Sequence, residues 1–452
     1  MATRPSKKNG FFFFLTRAAT ALLLLGLLLP APAARAKVYL EINQPNIRKI
    51  PLAVAPWKSL TGPGKPDKLA DDCRRVMVHD LDFSTFFDVL DDQSTYLEDP
   101  RKTGVALGTF NFNDWSLIGA ELLIKSGYYL EGDQLVVELR LFNIFSQKMI
   151  LGKRYRGRRQ DYRLIVHKFC NEVVQTITGL PGEFSSKIAF VGRRPGSRAK
   201  EIYIMDYDGA NLRQVTFDRS IDLSPAWSPD VRKLAYTTYR NHNPDLYVFD
   251  FYSGKKKLLA NQKGLNAAAD WSRDGRKIVL MQTFKNNAEI SVISALTGRL
   301  ISRLTKNWAN EASPCWSPAG NEIVFVSDRA GSPQIYIMDD RGGHLRRLTF
   351  TGNYNADPDW SAYSNRIVFA SIIDGHFQVC SINPDGSGLR QLTYLQGDCE
   401  TPNWSPNGRH IVFTANTSGR KRLMVMDLEG HNIRQLIGSS LEQQSPDWSA
   451  NQ

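Results

Sequence analysis

The sequence predicts an all-β six-bladed β-propeller in its C-terminal part, preceded by a small α/β N-terminal domain. Three observations carry this reading. Six Trp-Ser pairs (Trp227-Ser228, Trp271-Ser272, Trp316-Ser317, Trp360-Ser361, Trp404-Ser405 and Trp448-Ser449) recur at intervals of 44, 45, 44, 44 and 44 residues, the period at which each repeat builds one four-stranded blade. Around every pair lie the same four strand-like segments. Residues 37–182 show no such repeat and instead mix short β-branched runs with two helical stripes.

The elements follow in chain order. Lys7 and Lys8, the apolar stretch Ala18 to Leu29 and the small residues Ala34-Arg35-Ala36 read as a secretory signal peptide over residues 1–36. The stretch of 12 apolar residues is shorter than the roughly 20 that a membrane span requires, although an uncleaved anchor is the competing reading. A mature chain starting at Lys37 loses five basic and no acidic side chains, which lowers the formal charge from +12 to +7. At 42% hydrophobic and 23% charged residues, it reads as soluble and globular. Export argues against nucleic acid as a partner. The basic runs Lys153-Arg154, Arg156, Arg158-Arg159 and Lys255 to Lys257 are either solvated hairpins or contacts for anionic headgroups or an acidic partner.

In the N-terminal domain, Val38 to Ile42 and Ile50 to Trp57 read as strands. Asp67 to Val89 carries Leu69, Cys73, Val76, Met77 and Leu81 at helical spacing. Leu117 to Ile124, Leu135 to Phe142 and Met149 to Tyr155 read as further strands, with a turn at Glu131-Gly132-Asp133. Asp161 stands as N-cap of a helix to Ile177, with Leu164, Val166, Phe169, Val173 and Ile177 apolar. That helix ends at Gly179, and Pro181-Gly182 breaks the chain into a short hinge. The cysteines number five, Cys73, Cys170, Cys315, Cys380 and Cys399, so at least one thiol stays free in a monomer. Cys73 and Cys170 are either a disulfide or two small buried hydrophobes.

The propeller is expected over residues 186–452. Ser186 to Ser449 spans 264 residues, six times 44. Its phase is informative: the first copy starts at the second strand, Ile188-Ala189-Phe190, and the last ends just after its own Trp-Ser strand. Six complete blades therefore require Ser445 to Ser449 to join the blade begun at Ser186, which closes the ring and removes its exposed edges. Pro225, Pro314, Pro358, Pro402 and Pro446 stand two residues before the tryptophan, with Ala269 the exception. Proline suits an unpaired edge, which places the Trp-Ser segment innermost and makes each Trp a wedge between blades. Asp208-Gly209 and Asp385-Gly386 are hairpin turns that need positive φ.

The whole chain resembles the TolB family of periplasmic propellers of the Tol-Pal envelope system. The resemblance rests on Asp114-Trp115, Gly119-Ala120-Glu121-Leu122-Leu123, Leu141-Phe142-Asn143, and Ile177-Thr178-Gly179-Leu180-Pro181-Gly182 leading into Lys187-Ile188-Ala189-Phe190-Val191. The family's Trp-Ser-Pro-Asp-Gly pattern is nowhere complete here, since Asp230 precedes Val231, Ser272 precedes Arg273 and Ser361 precedes Ala362; these departures concern turns. The resemblance implies a non-enzymatic monomer without cofactor or metal, bridging the outer-membrane lipoprotein Pal and the inner-membrane protein TolA. It implies a TolA-binding segment at the mature N-terminus, here Lys37, Val38, Tyr39, Leu40, Glu41 and Ile42. It also implies that Pal is held at one mouth of the channel. The loops entering the innermost strands converge there and offer Asp222, Ser224, Asn266, Ala268, Asn310, Glu311, Ser313, Asn355, Asp357, Glu400 and Thr401, a polar set suited to a reversible contact. On this reading Glu311→Lys weakens Pal capture without changing the melting temperature.

Two rival classes stand beside this one. An enzyme would need chemistry that the motifs lack: there is no G-x-S-x-G and no H-E-x-x-H, although a hydrolase metal site formed by Asp222, Glu311, Asp357 and Glu400 is conceivable if they converge. A periplasmic glycan or peptide binder would use the same channel.

Overall fold

A computed structural model describes Met1 and residues 48–62, 68–99 and 103–451. The signal peptide, the strand expected over 38–42 and Asp67 lie outside the described residues.

The N-terminal domain is built from β1 (Ile50–Val54), β2 (Lys58–Ser59), α1 (Lys68–Phe83), β3 (Phe87–Leu90), α2 (Phe112–Leu117), β4 (Leu122–Glu131), β5 (Gln134–Asn143), β6 (Lys148–Arg158) and α3 (Tyr162–Thr178). Its sheet runs β3-β1-β4-β5-β6, with β2 beside β4. β1 is parallel to both neighbours, while β4, β5 and β6 form an antiparallel meander. Helices α1 and α3 cover one face through Leu69, Cys73, Met77, Leu81, Phe169, Val173 and Val174. Trp115, Phe112 and Ala120 cover the other with Ala53, Leu123 and Phe142.

Four expectations change here. The stripe expected to reach Val89 ends at Phe83, because the Ser84 hydroxyl donates to the Leu81 carbonyl at 2.6 Å and Thr85 turns left-handed at φ 65°. Val89 then lies on a strand, paired with Leu52. Leu117 is not in a strand: Asn111 caps Asn113 N–H at 3.1 Å, the short helix runs to Leu117, and Gly119 at φ 82° turns the chain before β4 starts at Leu122. In α3 the buried stripe includes Ile165 and Val166 while Leu164 is exposed, and Asp161 sits at the cap position but spends its carboxylate on Arg158 at 2.8 and 3.1 Å. Cys73 and Cys170 are both buried and form no disulfide with each other; burial pushes the Cys170 thiol well up.

The propeller has six four-stranded sheets. Blade I joins Lys187–Arg193, Glu201–Asp206 and Arg213–Gln214 to the C-terminal strand Glu442–Trp448, with Ile188 opposite Trp448. The ring is thus closed from opposite ends of the propeller, as the repeat phase requires. The other five innermost strands are Asp222–Trp227 (blade II), Asn266–Trp271 (III), Glu311–Trp316 (IV), Asn355–Trp360 (V) and Asp398–Trp404 (VI). All six tryptophans are buried, and each packs into the preceding blade: Trp271 against Ala235 and Leu246 of blade II, Trp316 against Val279 and Val292 of blade III.

The expected hinge is not one. Gly182 to Ser186 are buried, and Phe184 joins a single core shared by α1, α3, blade I and blade VI. Asn171 of α3 holds this stretch, accepting from Phe184 N–H at 3.0 Å and donating to Ser185 Oγ at 2.9 Å. A Cβ on Gly182 would stand 2.7 Å from Asn171 Cα, so only glycine fits.

Candidate functional site at the propeller channel

The channel is lined by the six innermost strands, and all six carry the same defect. Pairing with the second strand skips a register in every blade. At each skip one residue turns left-handed: Ser224, Ala268, Ser313, Asp357, Thr401 and Ser445 have φ between 45° and 50°. Five of them precede a proline, which has no N–H to lose from the ladder, so the bulge forgoes no hydrogen bond there. The left-handed conformation is costly for a non-glycine residue, on the order of 1–2 kcal/mol, so the surrounding ring must hold it in place.

A second repeated contact seals the ring one level deeper. In four blades the residue before the tryptophan carries a side-chain oxygen, and it accepts the backbone N–H of the next blade's tryptophan. Asp447 takes Trp227 at 2.6 Å, Asp270 takes Trp316 at 2.7 Å, Asp359 takes Trp404 at 2.7 Å and Asn403 takes Trp448 at 2.7 Å. The two remaining junctions improvise. Trp271 Nε1 donates to the Ala226 carbonyl at 3.1 Å, and Cys315 Sγ donates to Asp359 at 3.5 Å. Desolvation lifts the Asp270 carboxyl to about 7 and Asp359 to about 6. Burial, with the charges of the other two, also raises Asp447 well above its ordinary value.

The expected mouth residues divide into two groups. Asp222, Asn266, Glu311 and Asn355 open their strands but are buried. Asn266 donates to the carbonyls of Pro244, Gln262 and Gly264, and Asn355 to Gln334 Oε1 at 2.9 Å and the Thr351 carbonyl at 3.0 Å. Glu311 pairs with Arg329 at 2.7 Å and accepts from Asn307 at 2.9 Å. Burial lifts Asp222 to about 6. Asn266, Glu311 and Asn355 shape the loops from within, so Glu311→Lys would set two cations together in the core and lower the melting temperature. Ser224, Ala268, Ser313, Asp357, Glu400 and Thr401 are half-buried and Asn310 is exposed. Ser313 donates to Asp357 at 3.1 Å, Glu400 pairs with Lys421 at 2.5 Å, and Asn310 donates to Asp328 at 2.9 Å.

The four carboxylates suggested as a metal site therefore do not converge: each is committed to a separate neighbour or buried at its own strand end. Among the described residues, no three of His, Cys, Asp and Glu are arranged to hold a metal ion. Lys37, Val38, Tyr39, Leu40, Glu41 and Ile42 lie outside the described residues. The first described position after them, Arg48, pairs with Glu121 at 2.5 Å.

Sequence reasoning missed a polar network at the joint between the domains. Asp80 of α1 is buried, accepting from Tyr207 of blade I at 2.5 Å and lying 2.8 Å from His167 Nδ1 of α3. His79 Nδ1 lies 3.1 Å from the same Tyr207 hydroxyl, and burial pulls its pKa down. His410 of blade VI pairs with Glu183 at 2.7 Å and stacks on Phe83, ring centroids 4.0 Å apart.

Two family models match the chain: the TolB beta propeller domain over residues 174–452 and the TolB amino-terminal domain over residues 38–150. Among curated proteins, the Tol-Pal system protein TolB of Desulfosudis oleivorans is 42% identical over 50% of this chain and 51% of its own. The protein TolB homolog of Chlorobium luteolum is 33% identical over 67% of each. The chain spans about half the length of most of the curated relatives it matches. The crystal structure of TolB from Acinetobacter baumannii superposes with a TM-score of 0.77 at 27% identity, covering 89% of this chain and 97% of that one.

Proposed function

Because the chain belongs to the TolB family, we propose that it is a non-enzymatic periplasmic scaffold of the Tol-Pal system, exported by a cleaved signal peptide. It bridges Pal in the outer membrane and TolA in the inner membrane, and through both it maintains envelope integrity and supports outer-membrane constriction during division. The observation that carries this reading is how the channel spends its polar groups. The acidic side chains that a catalytic cluster would need are committed one by one to loop geometry and blade junctions. What remains at the mouth is a set of half-exposed polar groups suited to a reversible protein contact.

Pal is held at this mouth by Ser224, Ala268, Asn310, Ser313, Asp357, Glu400 and Thr401. Asn266, Glu311 and Asn355 contribute by fixing the loops. Lys37, Val38, Tyr39, Leu40, Glu41 and Ile42 add as a strand to an open sheet edge of TolA. The protein acts as a monomer without cofactor or nucleic acid.

The test is affinity purification from cell envelopes with and without residues 37–48. The full chain should retain both partners and the shortened chain Pal alone. Retention of TolA by the shortened chain would move the TolA site elsewhere, and loss of both partners would defeat the two-site bridge.

A further inference from the structure

In every blade the hairpin between the third and fourth strands emerges at the end of the propeller opposite the channel mouth, because the four strands alternate in direction. The N-terminal domain lies at this end, where Arg163 of α3 pairs with Asp208 in the hairpin of blade I. Four of the six hairpins are alike. Gly209, Gly342, Gly386 and Gly430 each donate their N–H to the carbonyl three residues back, and a charged residue, Asp208, Arg341, Asp385 or Glu429, precedes the glycine. Blades II and III depart from this pattern. Gly254 and Gly298 donate to Asp250 and Ser294, four residues back, both at 2.8 Å. In these longer loops Tyr252 and Leu296 stand out with 96% and 74% of their surfaces exposed. The fourth strands that follow are also longer, Lys255–Ala260 and Leu300–Arg303, against two residues in each of the other four blades.

The flank formed by these two blades is both apolar and basic. Ile293, opposite Leu300, shares a core with Leu259 of blade II, and the Lys257 ammonium donates to the Leu296 carbonyl. The outer strand of blade II therefore adjoins the hairpin of blade III, and Leu258, Leu300 and Ile301 are exposed around this contact. Lys255, Lys257 and Arg299 are exposed as well, and none of the three forms an ion pair among the described residues. Lys256 alone of its run is paired, with Asp218 at 2.9 Å. The carboxylates at this end of the two blades, Asp230, Asp250 and Asp274, accept N–H groups of their own turns. They also lie beside Lys233, Arg232, Arg276 and Lys277, so the flank stays cationic. Blade IV next to it adds Asp339, paired with His344, and Asp340. The basic run of the N-terminal domain differs, since Lys153, Arg154, Arg156 and Arg158 pair with Glu172, Glu138, Glu131 and Asp161.

We infer that the flank of blades II and III is a membrane-binding surface, which docks on an anionic phospholipid leaflet with the Tyr252 and Leu296 hairpins set among the headgroups. A leaflet answers both properties of the flank at once. Its headgroups attract Lys255, Lys257 and Arg299, and the apolar layer just beneath receives Leu296, Leu300 and Ile301. Lysine stems lie along apolar matter while their ammonium groups stay at the charged surface, and tyrosine favours the membrane–water boundary. Contact surfaces between proteins are depleted in lysine and enriched in aromatic residues and arginine, the reverse of this aliphatic, lysine-bearing flank. A second copy docked across a two-fold axis would set Lys255, Lys257 and Arg299 against like charges. The channel mouth lies at the other end of the propeller, so this surface is separate from the Pal contact proposed above and depends on neither Pal nor TolA.

The experiment is co-sedimentation of the purified chain from Lys37 onward with vesicles of phosphatidylcholine, or of phosphatidylcholine and phosphatidylglycerol in equal parts. Residues 1–36 are left off because their apolar stretch would bind vesicles by itself. The protein should pellet with the mixed vesicles and stay in solution with phosphatidylcholine alone. Lys255→Gln with Lys257→Gln should weaken binding about 30-fold, roughly fivefold for each lysine at an anionic surface, and high salt should erase the difference. Tyr252→Ser with Leu296→Ser should weaken binding about tenfold, a loss that salt does not erase because apolar transfer is not screened. Trp308→Ser at the mouth, and Lys153→Gln with Arg156→Gln in the paired basic run, should bind like the parent. All of these side chains are exposed, and equal melting temperatures separate lost docking from lost folding. Absence of binding to the mixed vesicles would overturn the inference and leave an acidic protein as the occupant. Binding that the Tyr252 and Leu296 changes leave intact, or that Trp308→Ser weakens equally, would also overturn it. A dimer in sedimentation velocity that Tyr252→Ser with Leu296→Ser abolishes would make the flank a contact between copies and overturn the lipid assignment.

Discussion

The ring of innermost strands and the joint between the two domains are both sealed by buried polar contacts, yet they are built on opposite plans. In the ring one device recurs: an oxygen before the tryptophan accepts the N–H of the next blade's tryptophan, at Asp447, Asp270, Asp359 and Asn403. Where that oxygen is missing, at Ala226 and Cys315, a neighbouring atom takes over. The joint has no such redundancy. Asp80, Tyr207 and His167 form one network, His410 and Glu183 another, and Phe184 fills the gap beside them. A repeated structure distributes its stability over equivalent contacts, whereas a unique interface concentrates it in a few. The difference teaches where each region should fail.

The largest effect is expected from removing residues 445–452, which takes Ser445 to Trp448, the larger part of the innermost strand, from blade I. The ring then has an open edge and loses the Trp448 indole, whose Nε1 donates to Ser186 at 2.8 Å. The melting temperature should fall sharply, and an unchanged melting curve would reject closure as a source of stability. The comparison sharpens with two single changes of similar cost. Trp316→Ala in the ring and Phe184→Ala in the joint should each lose about 3–5 kcal/mol, the usual range for truncating a buried aromatic residue. They should differ in where the molecule opens. Limited proteolysis of the Trp316 variant should cut within blades III and IV, and that of the Phe184 variant should release the N-terminal domain from an intact propeller. Identical cleavage patterns would mean that joint and ring unfold as one unit.

A smaller effect follows from the buried carboxyls. In the folded ring Asp270 sits at about 7 and Asp359 at about 6, above the usual carboxyl value of about 3.9 for an unfolded chain. A raised acid contributes stability that is fully present below its unfolded value and lost as pH rises through its folded value. This contribution should therefore decline between about pH 4 and pH 7. Asp270→Asn keeps an oxygen for the Trp316 N–H, as Asn403 does for Trp448, but has no charge to bury. It should be more stable than the parent at pH 8 by on the order of 1–2 kcal/mol, with the advantage shrinking towards pH 5. Parallel stability curves for parent and variant across this range would show that the Asp270 titration does not matter to the fold.

The same contrast explains what could be read from the sequence. The ring was legible because its contacts repeat: the tryptophan period, the prolines two residues earlier and the incomplete first copy lead to six blades and their closure. Even the acceptors were visible in principle, since four of the six positions before the tryptophan are Asp or Asn. The joint was illegible because its partners lie far apart in the chain, 87 residues between Asp80 and His167 and 227 between Glu183 and His410. No local spacing marks such pairs, so a stretch with Pro181 and Gly182 read as a hinge when it is a packed seam. At the end of α1 the apolar residues Phe83, Phe86, Phe87 and Val89 suit helical and strand spacing alike, and the local break at Ser84 and Thr85 decides between them. Of the mouth residues, type and position were readable but side-chain direction was not. Asn266 and Asn355 look like contact groups until their hydrogen bonds to their own loops are seen.

The pairing of Ile188 with Trp448 also has a meaning in time. A ribosome makes the first strand of blade I long before the last, so the strand that completes that blade is made only after the other five blades. Until then blade I keeps an open edge, the kind of surface that recruits other strands and invites aggregation. A chain that stops before this strand cannot hide that edge, however well its other blades have formed. The late strand thus works as a checkpoint written into the topology: only a product that includes it can present a sealed ring.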